Sequence, residues 1–342
     1  MALQFDKHRQ IVKPAPVGAA RRGAGQFGPR RKAVNEVLTI GLVNNMPDAA
    51  LQATERQFTQ LLTAAAPNSR IRFHCFSLPS IKRSEIARQI IDGHYADIAD
   101  LDRLGIDALI VTGAEPNAAT LPEEPFWGEL TAVIDWAEAN TRSTIWSCLA
   151  AHAAVLHLDG IERHRLDAKC SGIFDCSRVA DDRLLKNVTS PLKIVHSRLN
   201  ALHGRDLAAH GYRVLTESPE AGVDIFARQR RSQFIFFQGH PEYDALSLQR
   251  EYLRDITRYL SGQRDAYPAF PRNYFTTETE HRLKNFQKLA RIERKLPLSA
   301  ELPKLTLRPD IATGTAASAI FGNWLDYLSA GKRGSAAGTR EP

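Results

Sequence analysis

Cys148 stands between two runs of opposite character, and a His240-Pro241-Glu242 step follows much later in the chain. These are the residues whose types and spacing could do covalent chemistry. Upstream of the cysteine, Thr144, Ile145 and Trp146 are β-branched or aromatic and suit a short buried strand. Downstream, "LAAHAAVLHL" over 149–158 is rich in helix formers, and Gly160 is a helix stop. The cysteine therefore falls on a strand-to-helix turn. A helix N-terminus aimed at it offers unpaired N–H groups and partial positive charge, which favour a thiolate and can hold an oxyanion. The competing reading is a thiol that fills a core, since cysteine is among the most buried residue types. A base decides between them. "SQFIFFQG" (232–239) reads as a strand, and His240 and Glu242 lie just beyond its end, stiffened by Pro241. There His240 would take the thiol proton, and Glu242 would orient the ring and stabilise its charge.

The elements that must position these groups alternate in type. "VLTIGLVNN" (37–45), "IRFHCFSL" (71–78), "DALIVTGA" (107–114) and the run before Cys148 read as strands. Helices are expected between them, around 50–66, 84–92 and 125–140. This order predicts βαβ units and an α/β fold: a doubly wound, flavodoxin-like, mostly parallel sheet with helices on both faces. Ligands of such sheets bind beyond the carboxyl ends of the strands, where "NNMP", "TGAEPN" and "SCLA" all fall. The second half adds strands at 169–176, 211–218, 223–229 and 232–239, the last two forming a hairpin. A helix from Asp244 to Leu260, a Pro-rich irregular stretch over 261–310 and a short helix at 317–329 complete the reading.

The 342 residues are 43% hydrophobic and 24% charged, an ordinary globular composition. No apolar run approaches the roughly 18 residues of a membrane span, and the N-terminus lacks the apolar core of a signal peptide. The formal charge of +7 would suit a nucleic-acid partner, but residues 1–34 hold eight basic residues against one acid, so they carry the whole excess. That Gly-, Pro- and Arg-rich stretch is expected to be a disordered basic tail. One compact domain is expected over 35–330, with a frayed end at 331–342. Cys75, Cys148, Cys170 and Cys176 form no CxxC and no metal-ligand spacing, so no metal is expected and the cysteine usage suits a reducing cytoplasm.

Several segments together resemble homoserine O-acyltransferases of the homoserine O-succinyltransferase type, within the class I glutamine amidotransferase-like superfamily. They are "NNMP" with "TERQFTQLL", "DALIVTGAEPNAATLPEEPFW", "STIWSCLAAHAAVLHLDGI", "KCSGIF", "HSR" at 196–198, "GHPEYDALSLQREYLRD" and "NWLDYL" at 323–328. The resemblance covers roughly 40 to 330. It implies ping-pong acyl transfer in methionine biosynthesis: Cys148 takes the acyl group as a thioester, His240 is the base and Glu242 completes the triad. It implies that Arg254 holds the amino-acid carboxylate, that Lys169 and Ser197 contact substrate, and that the Leu149 N–H is an oxyanion donor. No cofactor is implied beyond acyl-CoA as cosubstrate. The expected partners are acyl-CoA and L-homoserine, with neither nucleic acid nor membrane, and the resemblance leaves room for a homodimer.

Four positions depart from the family pattern. Asp48 and Ala49 follow Pro47 where lysines are usual, Leu149 replaces a tryptophan, and Asn117 occupies the position that sorts acyl donors, Gly for succinyl or Glu for acetyl. On the commoner family activity, succinyl is expected over acetyl. The competing functions are a hydrolase or amide transferase with the same triad, an enzyme that accepts serine instead of homoserine, and a silent binding protein on this fold. Arg254 argues against a hydrolase, which needs no amino-acid clamp.

Overall fold

A computed structural model describes residues 10–11, 37–67, 69–309, 311 and 315–337; for 10–11, 315 and 331–337 it describes the backbone alone. Along the chain lie β1 (Gln10–Ile11), β2 (Val37–Val43), α1 (Asp48–Ala65), β3 (Arg70–Phe76), α2 (Glu85–His94), β4 (Ala108–Val111), α3 (Trp127–Asn140), β5 (Ser143–Ser147) and α4 (Leu149–Asp159). The second half holds β6 (His164–Arg178), β7 (Leu192–Ala201), α5 (Gly204–Ala209), β8 (Arg213–Val214), β9 (Thr216–Ser218), β10 (Gly222–Val223), β11 (Ile225–Gln229), β12 (Gln233–Phe237), α6 (Ser247–Leu260), α7 (Thr277–Ile292) and α8 (Thr315–Ala337).

The main sheet runs β1-β3-β2-β4-β5-β12-β11-β8. Its five central strands, β3 to β12, are parallel, and β1, β11 and β8 join antiparallel at the edges. Buried on both faces, these strands read as continuous apolar runs, and their side chains sort by alternation. Ile110, Ile145, Ile235 and Phe237 pack with Phe58 and Leu62 of α1 and Phe321, Trp324 and Leu328 of α8. Leu109, Val111, Trp146, Phe234 and Phe236 face the other way, onto Leu130 and Val133 of α3 and Ala150, Ala153 and Ala154 of α4. The small residues of α4 let it lie close on the sheet. The fold is therefore α/β and doubly wound, as expected. Among the described residues, no helix is long and apolar enough to cross a membrane.

A second, antiparallel sheet, β10-β9-β6-β7, stands beside the first. Here the structure departs from the expectations. The strand expected over 169–176 is the latter part of β6. Its partner β7 has no counterpart among the expected strands, although "HSR" at 196–198 lies within it. The strand expected over 211–218 breaks at Leu215, so β8 joins the main sheet and β9 the second. The stretch 261–310 is irregular through its prolines but contains α7. Thr276 caps that helix by accepting the Thr279 N–H, and Glu278 and Glu280 lie in its first turn. Leu283, Phe286 and Ala290 are its buried stripe, packed with Tyr252 and Ile256 of α6. The last helix runs on to Ala337, past its expected end at 329. Apart from β1, the basic tail lies outside the described residues, as do 338–342.

Candidate active site

Cys148 occupies the single residue between β5 and α4, at φ 53° and ψ −114°. These angles match the first central position of a II′ turn, where glycine is the usual residue. The turn aims the side chain away from the sheet, and the thiol is part-exposed. The Cys148 N–H donates to the Phe237 carbonyl at 2.8 Å, which ties the turn to the end of β12. On the helix side, the Cys148 carbonyl accepts the N–H groups of Ala151 and His152 at 3.0 and 3.3 Å. The Leu149 N–H is the first of α4, so no carbonyl within the helix can take it. The loop after β4 lies against that N–H: a Cβ on Gly113 would fall 3.0 Å from the Leu149 nitrogen and 2.9 Å from its Cβ. Glycine is thus required there by space.

His240 and Glu242 follow β12, the strand beside β5. The His240 N–H donates to the Val195 carbonyl of β7 at 2.7 Å, so both sheets hold it. Its Nδ1 lies 3.0 Å from Glu242 Oε1, with both side chains buried. A carboxylate only accepts, so Nδ1 carries the proton and Nε2 is left for the thiol. Burial alone would pull the imidazole pKa down. The Glu242 carboxylate and the hydrogen-bonded Cys148 sulfur outweigh it and hold the pKa well above its usual value. The Tyr243 ring stacks on His240 at 4.2 Å between centroids, which fixes the plane of the ring.

Beyond the triad, α6 turns Glu251, Arg254, Asp255 and Arg258 towards one cavity of about 990 Å³. Glu251 gathers three groups. Its Oε2 accepts Ser197 Oγ and, at 3.3 Å, Lys169 Nζ, and its Oε1 accepts Tyr243 Oη at 2.7 Å. Burial pushes this carboxyl up, but Lys169 and the two hydroxyls outweigh that and hold it below its usual value. Asp255 accepts Lys169 Nζ at 3.1 Å, Arg254 through Nε and Nη2 at 3.1 and 2.9 Å, and faces Arg264 at 3.3 Å. Arg258 grips Glu115 of the loop after β4 at 2.5 and 3.2 Å.

Cys148, Leu149, His240, Glu242, Lys169, Ser197 and Arg254 all line this cavity. Asn117 does not. Its side chain is exposed and donates to the Glu115 carbonyl at 3.1 Å, while its neighbours Pro116 and Ala118 form the wall. Asn117 was expected to face the acyl group; in the structure it lies in the loop after β4 beside the cavity, with its side chain outside the lining. The backbone there is anchored by Glu124 Oε1, which accepts the N–H groups of Asn117 and Ala118 at 2.7 and 2.8 Å. Several wall residues were not anticipated. Tyr243, Glu251 and Asp255 lie within "GHPEYDALSLQREYLRD", and the spacing of Glu251, Asp255 and Arg258 on one helix face was the signal available. His152 had none. It is one turn into α4, its Nε2 is 3.0 Å from Gln238 Oε1, and burial lowers its pKa to about 3.

The family described as homoserine O-succinyltransferase matches residues 30–333. The homoserine O-succinyltransferase of Bradyrhizobium japonicum is 58% identical over 97% of this chain and 100% of its own length. That of Rhodopseudomonas palustris is 59% identical over 96% of this chain and 99% of its own. Among solved structures, a glutamine amidotransferase from Methylobacillus flagellatus aligns over 84% of this chain and 94% of that one, at 15% identity and a TM-score of 0.47.

Proposed function

The chain belongs to the homoserine O-succinyltransferase family, and from that premise we propose that it moves a succinyl group from succinyl-CoA to the hydroxyl of L-homoserine through a thioester on Cys148. His240 Nε2 takes the thiol proton, and the sulfur attacks the thioester carbonyl. The tetrahedral oxyanion forms beside the Leu149 N–H at the start of α4. When the carbon–sulfur bond to CoA breaks, His240 returns the proton to the departing thiolate. Homoserine then binds, His240 takes its hydroxyl proton, and the oxygen attacks the acyl-enzyme to restore Cys148. Glu242 keeps Nδ1 protonated and stabilises the imidazolium in both halves.

Arg254 suits the homoserine carboxylate. Its Nε and Nη2 are held by Asp255, which orients the guanidinium, while Nη1 makes no hydrogen bond among the described residues. Lys169 and Ser197, joined on Glu251, are assigned to the same end of the substrate. The reaction needs no cofactor besides the acyl-CoA, and we place it in the cytoplasm, as a step of methionine biosynthesis.

The observation that carries the reading is Cys148 on its turn, hydrogen-bonded to a buried His240–Glu242 pair inside a cavity of substrate size. Intact-protein mass spectrometry with succinyl-CoA alone should show one succinyl adduct on the wild type and none on Cys148→Ala. Homoserine should discharge the adduct as O-succinylhomoserine. An adduct on Cys148→Ala would move the nucleophile elsewhere, and discharge to water at the same rate without homoserine would make the protein a hydrolase.

A further inference from the structure

The cavity wall holds two cations of a different kind from the rest. Lys169, Arg254, Arg258 and Arg264 each face an acid. Arg198 donates to the carbonyls of Asn200 and Ala221 and to His196 Nδ1. Arg163 and Arg165 also line the cavity, yet among the described residues neither guanidinium makes a hydrogen bond or an ion pair. They are two apart, Arg163 just before β6 and Arg165 within it, and both line the cavity while His164 between them faces Asp206 at 3.1 Å. Arg165 is exposed, and Arg163 is half-buried.

Arg163 also lies within electrostatic reach of the Cys148 sulfur and of Glu124. Glu124 does not take up its charge by contact. One oxygen holds the 117–118 backbone, and the other, Oε2, is buried without a hydrogen-bond partner. A half-buried guanidinium without a contact partner, in the same cavity as the nucleophile, is a place for an anionic group of the substrate. Three anionic groups reach the cavity in succinyl transfer, and one of them, the homoserine carboxylate, is assigned to Arg254. The acyl carboxylate lies two methylene groups beyond the thioester carbonyl, close to the sulfur. The CoA phosphates lie beyond the whole pantetheine arm. We infer that Arg163 binds the terminal carboxylate of the acyl group, and so makes the site selective for a dicarboxylic acyl donor. This rests on the transferase reading above, with its thioester on Cys148.

The test compares succinyl-CoA with acetyl-CoA, which shares every CoA phosphate but lacks the carboxylate, at saturating homoserine. In Arg163→Gln the ratio of kcat/KM, succinyl over acetyl, should fall about tenfold or more, as expected for loss of a charge-assisted pair, while acetyl transfer persists. Arg163→Lys should recover part of that ratio, and Arg165→Gln should leave it unchanged. The wild type should also prefer succinyl-CoA over its neutral amide counterpart, succinamoyl-CoA, a comparison that needs no variant to fold. Equal losses with both donors in Arg163→Gln, a ratio moved by Arg165→Gln instead, or equal wild-type use of the acid and the amide would each overturn the inference and leave acyl transfer standing. A wild type that acylates Cys148 from no donor would remove the transferase reading and this inference with it.

Discussion

At Cys148 a side chain is kept where the backbone favours glycine. Positive φ in a residue other than glycine costs on the order of 1–3 kcal/mol and persists where the surroundings force it. Here the force comes from β5 and α4 on either side and from the hydrogen bond to Phe237. Cys148→Ala keeps the Cβ and the strain, whereas Cys148→Gly releases it. Glycine gives back about 0.4–1 kcal/mol through its freer unfolded chain. Both variants should be inactive, and Cys148→Gly should be the more stable by about 1 kcal/mol in urea denaturation. Equal stabilities would mean that the turn is relaxed. At this scale the sequence was readable where a residue closes a strand. Cys148, His240 and Glu242 end predicted strands, so their direction follows from the sheet. Asn117 is the sixth residue after β4, in a loop where no periodicity sets which way a side chain points.

Between elements, the site depends on how closely the loop after β4 approaches α4. Gly113→Ala would put a Cβ 3.0 Å from the Leu149 nitrogen, where neither backbone has room to yield without moving the other. A shift of about 1 Å there should lower kcat about 10²-fold. The clash should also cost about 1–3 kcal/mol in urea denaturation, so kcat is compared where the variant is fully folded. Retained kcat would place the oxyanion elsewhere. The strands flanking this contact were legible because parallel strands buried on two faces become apolar runs. Two elements were not. In β7, charged Lys193 and Arg198 and polar Ser197 interrupt the apolar positions, because the strand pairs beside a polar cavity. In α7, a stripe of only Leu283, Phe286 and Ala290 is diluted by charge and follows a proline-rich stretch that masks its start. The clasp of Lys169 and Ser197 on Glu251 needs the β6–β7 register and the docking of α6 together, and neither can be read from local pattern.

For the whole molecule, buried ionisable groups set the response to acid. Burial lowers His152 from its ordinary 6.5 to about 3, so below pH 6.5 the unfolded chain binds a proton that the folded one refuses. The stability tied to this group is complete above pH 6.5 and is lost as pH falls towards 3. Between pH 7 and pH 5 the loss is about 2 kcal/mol. His196, also buried and held well below its ordinary value, acts in the same direction. Asp224 acts in the other: burial raises it to about 6, so its contribution is present at low pH and is lost as pH rises through 6. Comparing His152→Gln with the wild type at each pH cancels both. The wild type should lose about 2 kcal/mol more than the variant between pH 7 and pH 5 in urea denaturation. Parallel losses would mean that His152 takes up its proton without unfolding.

The pairing of β5 with β12 has a consequence in time. These neighbours in the sheet are separated in the chain by all of β6 to β11. During synthesis the cysteine leaves the ribosome well before the histidine, by roughly 5–20 s at about 5–20 residues per second. Through that interval the growing chain carries a thiol with no His240 beside it. The chain's last parallel strand is the one that brings His240 into place. The strand that completes the parallel sheet is thus also the one that completes the Cys148–His240–Glu242 arrangement, and until it is made the thiol has no base to activate it.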